Sequence, residues 1–171
     1  SSFSGKEIMA KVASLPGQSY MFKSPINVQQ IEYLKGNGTV TEKNEAFAVI
    51  KGPEVHHFYT AYQMKKVLFA QASKHFANSK ELYLKKSLSE KAWLQISNDY
   101  HMTKIEFDEL THFFDLVLSF NGEQDALTLG APIAGVIQYN IFSALDIDSI
   151  IASFVPLQAI RLNVKLPINR V

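Results

Sequence analysis

Between residues 53 and 77 apolar side chains return every third or fourth position: Phe58, Ala61, Tyr62, Leu68, Phe69, Ala72 and Phe76. That is the period of an α-helix with a wide apolar face. Gly52 and Pro53 open the segment, and a proline in the first turn costs nothing because that N–H has no helical acceptor. Glu54 follows where a carboxylate meets the positive end of the helix dipole. The polar side (Thr60, Gln63, Lys66, Gln71, Lys74) is narrow. The pattern predicts a helix of about 37 Å, at 1.5 Å per residue, covered by neighbours on more than one side.

Shorter patterns flank it. Residues 4–14 predict a helix with Ile8, Val12 and Leu15 inward, and residues 18–23 a short strand. Ser24-Pro25 predicts a helix start, with Ser24 as N-cap and Ile26, Val28, Ile31 and Leu34 inward as far as Gly36. Residues 39–41 and 46–50 predict a hairpin around Glu42 to Glu45. Two capping-box spacings, Ser87 to Glu90 and Thr103 to Glu106, predict helices over 88–99 and 104–120. Asp146 or Asp148 can cap a further short helix over 149–154. Residues 157–168 alternate, Ile160, Leu162, Val164 and Leu166 against Arg161, Asn163 and Lys165, which predicts a half-buried strand.

These elements assemble into an expected fold class of α+β: a helix-rich single domain spanning residues 1–171. A small antiparallel sheet (18–23, 39–50, 157–168) packs against the long central helix 53–77, with six or seven helices in all. A chain of 171 residues is long enough to bury a core without staples. It has no cysteine, which excludes disulfides and thiolate chemistry and leaves the compartment open. A net charge of +1 offers no global field for nucleic acid or an anionic membrane. Locally, however, residues 65–91 hold seven Lys against Glu81 and Glu90, and residues 99–125 hold seven acids against Lys104. The simplest expectation is that the two segments lie side by side and neutralise each other.

Residues 126–160 carry only Asp146 and Asp148 as charges. Thr128, Gly130, Pro132, Gln138 and Asn140 break the run too often for a membrane span. It is therefore either a core layer or an apolar surface for a protein partner. On the second reading Ile133, Ile137, Tyr139, Phe142, Ile151 and Phe154 are the contact residues. If Ile137 or Phe142 lies at an interface, a charged replacement abolishes binding and spares the fold; in a core layer it unfolds the protein.

Two other chemistries are weighed. Glu54 with His57, and Glu109 with His112, stand three residues apart and share a helix face. With Glu32 and Glu90 they have the spacing of a carboxylate–histidine site for iron, manganese or zinc. The competing reading is a capping Glu54, partly buried histidines and no cofactor. Helices 88–99 and 104–120 around Tyr100 to Met102 have the outline of a helix-turn-helix. Glu106, Asp108 and Glu109 would then meet phosphates at the start of the reading helix, the wrong sign for nucleic acid. No phosphate loop or nucleophile elbow is present, and the histidines lack catalytic spacing. The function this favours is a non-catalytic interaction or adaptor domain with a protein partner. The sequence leaves the oligomeric state open.

Overall fold

In the computed structural model, which describes residues 18–159, Phe22, Ser24, Ile26 and Val28 are buried while Lys23 and Asn27 between them are exposed. A two-residue period belongs to extended chain, whose alternate side chains point to opposite faces. The helix expected after Ser24 is replaced by an isolated bridge, Val28 to Leu145, and a strand, Gln30–Tyr33. Ser24 does not cap anything: its hydroxyl donates to the Ile26 carbonyl at 2.6 Å.

Residues 18–56 and 116–159 form one compact unit. Its described strands are β1 (Tyr20–Lys23), β2 (Gln30–Tyr33), β3 (Val40–Thr41), β4 (Ala46–Lys51), β5 (Val117–Asn121), β6 (Ala126–Gly130), β7 (Gly135–Gln138) and β8 (Ile150–Pro156). They make two four-stranded antiparallel sheets, ordered β1-β8-β7-β3 and β2-β4-β6-β5. Phe47 on β4 meets Phe22 on β1 and Phe154 on β8, with ring centroids 5.5 and 5.0 Å apart, so the sheets bury their inner faces against each other. Ile50, Leu127, Leu129, Ile137 and Ile151 complete this interior, each fully buried. Each such side chain is worth about 1.5–3 kcal/mol relative to exposure.

The segments expected to pair as a hairpin instead separate. β3 joins β7 in one sheet, and β4 joins β2 and β6 in the other. The exposed turn between them carries the chain from one sheet to the other, with Asn44 at φ 67° and the Glu42 N–H donating to Glu45. Where β7 runs against β8, a Cβ on Gly135 would lie 2.2 Å from the Val155 carbonyl oxygen, so only glycine fits. The charge-poor run contains β6, β7 and β8. β6 and β8 are each flanked by two strands, and such inner strands are apolar nearly throughout. The helix expected over 149–154 is β8, whose Ile150, Ile151, Phe154 and Val155 suit a pleated surface.

His57–Asp115 form the second unit. It consists of α1 (Pro53–Leu84), whose first turn belongs to the β unit, and α2 (Glu90–Phe114). The predicted long helix exists and continues past residue 77 without a break. The two capped helices expected over 88–120 are one helix followed by β5. Ser89 is the N-cap, accepting from the Ala92 N–H. Thr103 caps nothing, since its hydroxyl donates to the Asp99 carbonyl in mid-helix. Among the described residues there are thus two long helices, and the α+β class holds with more strand and fewer helices than expected.

The two helices are zipped by aromatic rings at seven-residue spacing. Tyr62, Phe69, Phe76 and Tyr83 on α1 alternate with Phe114, Phe107, Tyr100 and Trp93 on α2 in one stack, with centroids 4.0–5.9 Å apart. Seven-residue repeats on both helices are the signature of a coiled-coil seam. Such a seam covers one stripe, so α1 is not wrapped on several sides. Of the predicted apolar face, Leu68 stays exposed, and Val55 and Ser79 are the buried side chains of α1. No described helix is long and apolar enough to cross a membrane. Residues 157–159 form a helical turn, and the rest of the strand expected over 157–168, like the helix over 4–14, lies outside the described residues.

Candidate functional site

The seam dictates what the hairpin shows to solvent. Five residues after a ladder ring a side chain points about 140° away from it, on the side of the helix turned from the seam. Val67 occupies that position on α1 and Ile105 on α2, 54% and 50% exposed. Met64 and Met102 flank them at 59% and 63%. Leu82, Leu84 and Leu94 crowd the turn end, Leu84 at 71% exposure. The turn itself is a helix stop in which Lys86 takes φ 61° while the Lys86 and Ser87 N–H groups donate to the Tyr83 and Leu82 carbonyls. Lys65 reaches Glu106 across the seam at 2.9 Å. Lys85 with Glu81 and Lys104 with Asp108 pair along their own helices. The basic and acidic segments do therefore run side by side, with Lys66, Lys74, Lys80 and Asp99 exposed on their flanks.

The residues predicted for partner contact divide. Ile137, Ile151 and Phe154 are fully buried between the sheets, and these three are core, not contact, residues. Ile133 is half-buried and Phe142 exposed. Tyr139 stacks on Tyr33, centroids 3.8 Å apart and planes 4° from parallel, and donates its hydroxyl to the Lys35 carbonyl. The Asn37 carboxamide clasps the Tyr139 backbone with two hydrogen bonds of 2.9 and 3.0 Å. Tyr139 thus pins the loop that follows β7. Tyr33 donates to the Ile151 carbonyl, and burial, then the neighbouring Tyr139, pushes its pKa up to about 12.

Beside this clasp lies an open cleft of about 770 Å³, lined among others by Gln138, Phe142, Ile150 and Ser153, with no charged side chain in its wall. Ile141, 86% exposed, and Ile147 extend the apolar surface along the same loop.

The helix-turn-helix reading falls with the continuous α2. The Glu–His pairs are not gathered into a metal-ligating group: among the described residues no cluster of three or more His, Cys, Asp or Glu could hold an ion. Glu54, His57, Glu109 and His112 are all exposed. Glu32 lies in β2, facing out. His56, the neighbour of His57, accepts a different task, meeting Asp125 at 2.9 Å where α1 leaves the β unit.

Among the described residues, eight strands in two sheets are interrupted in sequence by a helical hairpin. The fold is similar to that of a Bacteroides eggerthii protein assigned as an efflux transporter. The match has a TM-score of 0.54 at 17% identity and covers 81% of this chain but 40% of that one. The chain therefore spans about two-fifths of that protein's length. Weaker likenesses include a MacA–MexA chimera containing the Pseudomonas aeruginosa MexA α-hairpin domain, at TM-score 0.48, 10% identity, 81% of this chain and 48% of that one. The periplasmic adaptor protein EmrA is a third, at TM-score 0.34, 10% identity, 81% of this chain and 72% of that one. No protein-family model matches the sequence, and no curated protein matches it.

The surfaces at Val67, Ile105, Leu84 and Leu94 were not among the expected contact residues. The signal that would have found them is the spacing of the eight ladder rings, which identifies the seam and so the outward positions.

Proposed function

We propose that the chain is a non-catalytic adaptor segment of a larger assembly, and that the hairpin is its partner-binding element. The observation that supports this most is the set of apolar side chains that the hairpin leaves outside its own seam, at the turn (Leu84, Leu94) and on both outer edges (Val67, Ile105). Exposed apolar residues grouped on one element mark surfaces covered by another protein. The transporter assignment of the Bacteroides neighbour makes a transport assembly the proposed setting.

The test is affinity capture from the native source with the full chain and with Leu84→Asp. The expected result is a protein partner retained by the parent chain and lost from the variant, with both showing the same thermal midpoint. Equal capture by both chains removes the turn from the interface.

The cleft beside Tyr139 supports a second contact. Phe142 lines it and the exposed Ile141 adjoins it, on the loop whose Tyr139 the Asn37 side chain clasps. Phe142→Asp is expected to weaken capture further without changing stability.

A further inference from the structure

The outer face of the sheet β1-β8-β7-β3 carries polar groups that the fold does not use. Ile137 and Phe154 pair across β7 and β8 and are fully buried. The next pair along the same two strands, Gln138 and Ser153, therefore faces away from the interior, because side chains alternate along extended chain. With Asn140 and Ser149 these two form part of the wall of the cleft beside Tyr139. None of the four side chains has a hydrogen-bond partner among the described residues. Two carboxamides and two hydroxyls can each both donate and accept. Beside them Phe142 and Ile150, both exposed, add apolar surface. The Phe142 ring packs on no other ring among the described residues.

The chemistry of this wall narrows the ligand. No charged side chain lines it, so a carboxylate or phosphate would find no counter-ion there. A wholly apolar ligand would cut four polar side chains off from water without replacing their hydrogen bonds, at a cost for each. What matches is a neutral molecule with hydroxyls around its edge and C–H groups on its faces. The cleft volume of about 770 Å³ lies among the roughly 300–1,000 Å³ of small-ligand sites. We propose that the cleft binds a neutral saccharide, its hydroxyls paired with Gln138, Asn140, Ser149 and Ser153 and one ring face lying on Phe142. Such a site goes beyond the adaptor reading and stands independently of it. A free sugar and the end of a longer glycan present the same chemistry to this wall.

The test is a titration of the full isotope-labelled chain with maltotriose, chitotriose, glucose and N-acetylglucosamine, followed by the side-chain amide signals of Gln138 and Asn140. The expected result is a saturable shift of both signals with at least one saccharide, at a dissociation constant on the order of 1 mM. Tighter binding of a trisaccharide than of its monomer assigns an extended glycan; equal binding assigns a free sugar. Gln138→Leu with Ser153→Ala, and separately Asn140→Ala, should each weaken binding by about tenfold at an unchanged thermal midpoint. The fully O-methylated trisaccharide keeps its ring faces but has lost every hydroxyl donor, and it is expected not to bind. Absence of a saturable shift with all four saccharides overturns the proposal. So does equal binding of the O-methylated form, which would mean an apolar contact, or unchanged affinity in both variants. Leu84-dependent capture is read separately. A failed titration with capture intact removes the saccharide site and leaves the adaptor reading standing.

Discussion

Tyr33 must keep its proton to donate to the Ile151 carbonyl, and its surroundings hold the proton on. Its folded-state pKa is raised from 10.0 to about 12, so the stability it contributes is complete below pH 10 and is lost as pH rises from 10 towards 12. A tyrosinate absorbance titration of the parent chain minus Tyr33→Phe should show a single late-titrating tyrosine; a difference curve centred near 10 contradicts this. Phe154 and Phe142 make the sharper contrast, being near neighbours in sequence with opposite fates. Phe154→Ala empties the space between the sheets and should cost about 3–5 kcal/mol in chemical denaturation. Phe142→Asp, on an exposed loop, should stay within about 0.5 kcal/mol. Both residues lie in the same charge-poor run. Local composition cannot separate them, because which one faces inward depends on where the loop after β7 leaves the sheet.

At the scale of elements, the long helix was legible because Gly52, Pro53, Glu54 and a three-to-four period all act within a few residues of one another. Its cover was not. A wide apolar face is expected to be buried all round, yet the ladder rings take up one stripe and leave Leu68 and Met64 outside. The capping-box spacing at Thr103 failed for a related reason. A hydroxyl in mid-helix finds the carbonyl four residues back, and the seam keeps the helix continuous through it. The turn between the helices offers an element-scale prediction. Lys86 occupies the left-handed position where glycine carries no steric cost. Lys86→Gly should therefore stabilise the hairpin by about 1 kcal/mol, read as a higher denaturant midpoint at unchanged slope. A lower midpoint would mean that the lysine side chain contributes more than its backbone strain costs.

For the whole molecule, the division into a β unit and a hairpin predicts separable folding. The core of the β unit holds Phe22, Phe47, Leu127, Ile137 and Phe154, all from that unit's own segments. Replacing residues 58–114 by a flexible glycine–serine linker should leave a cooperatively unfolding β protein, checked by amide chemical-shift dispersion and a single thermal transition. A collapsed spectrum without dispersion would show that the β unit needs the hairpin to fold.

The sequence by itself determined the start and helicity of residues 53–77, the absence of thiol chemistry, the presence of antiparallel strand and helix in one chain, and the opposition of a basic and an acidic segment. Each of these is set by residues close together or by composition alone. Tertiary structure decided which strands pair, that 30–33 and 150–156 are extended, that the charge-poor run is core at Ile137, Ile151 and Phe154, and that Val67 and Ile105 lie outside the hairpin's seam. Those outcomes depend on partners distant in sequence: β8 acquires its neighbours β1 and β7 only when two sheets close over Phe47, and a residue becomes outward only once the helix opposite it is known.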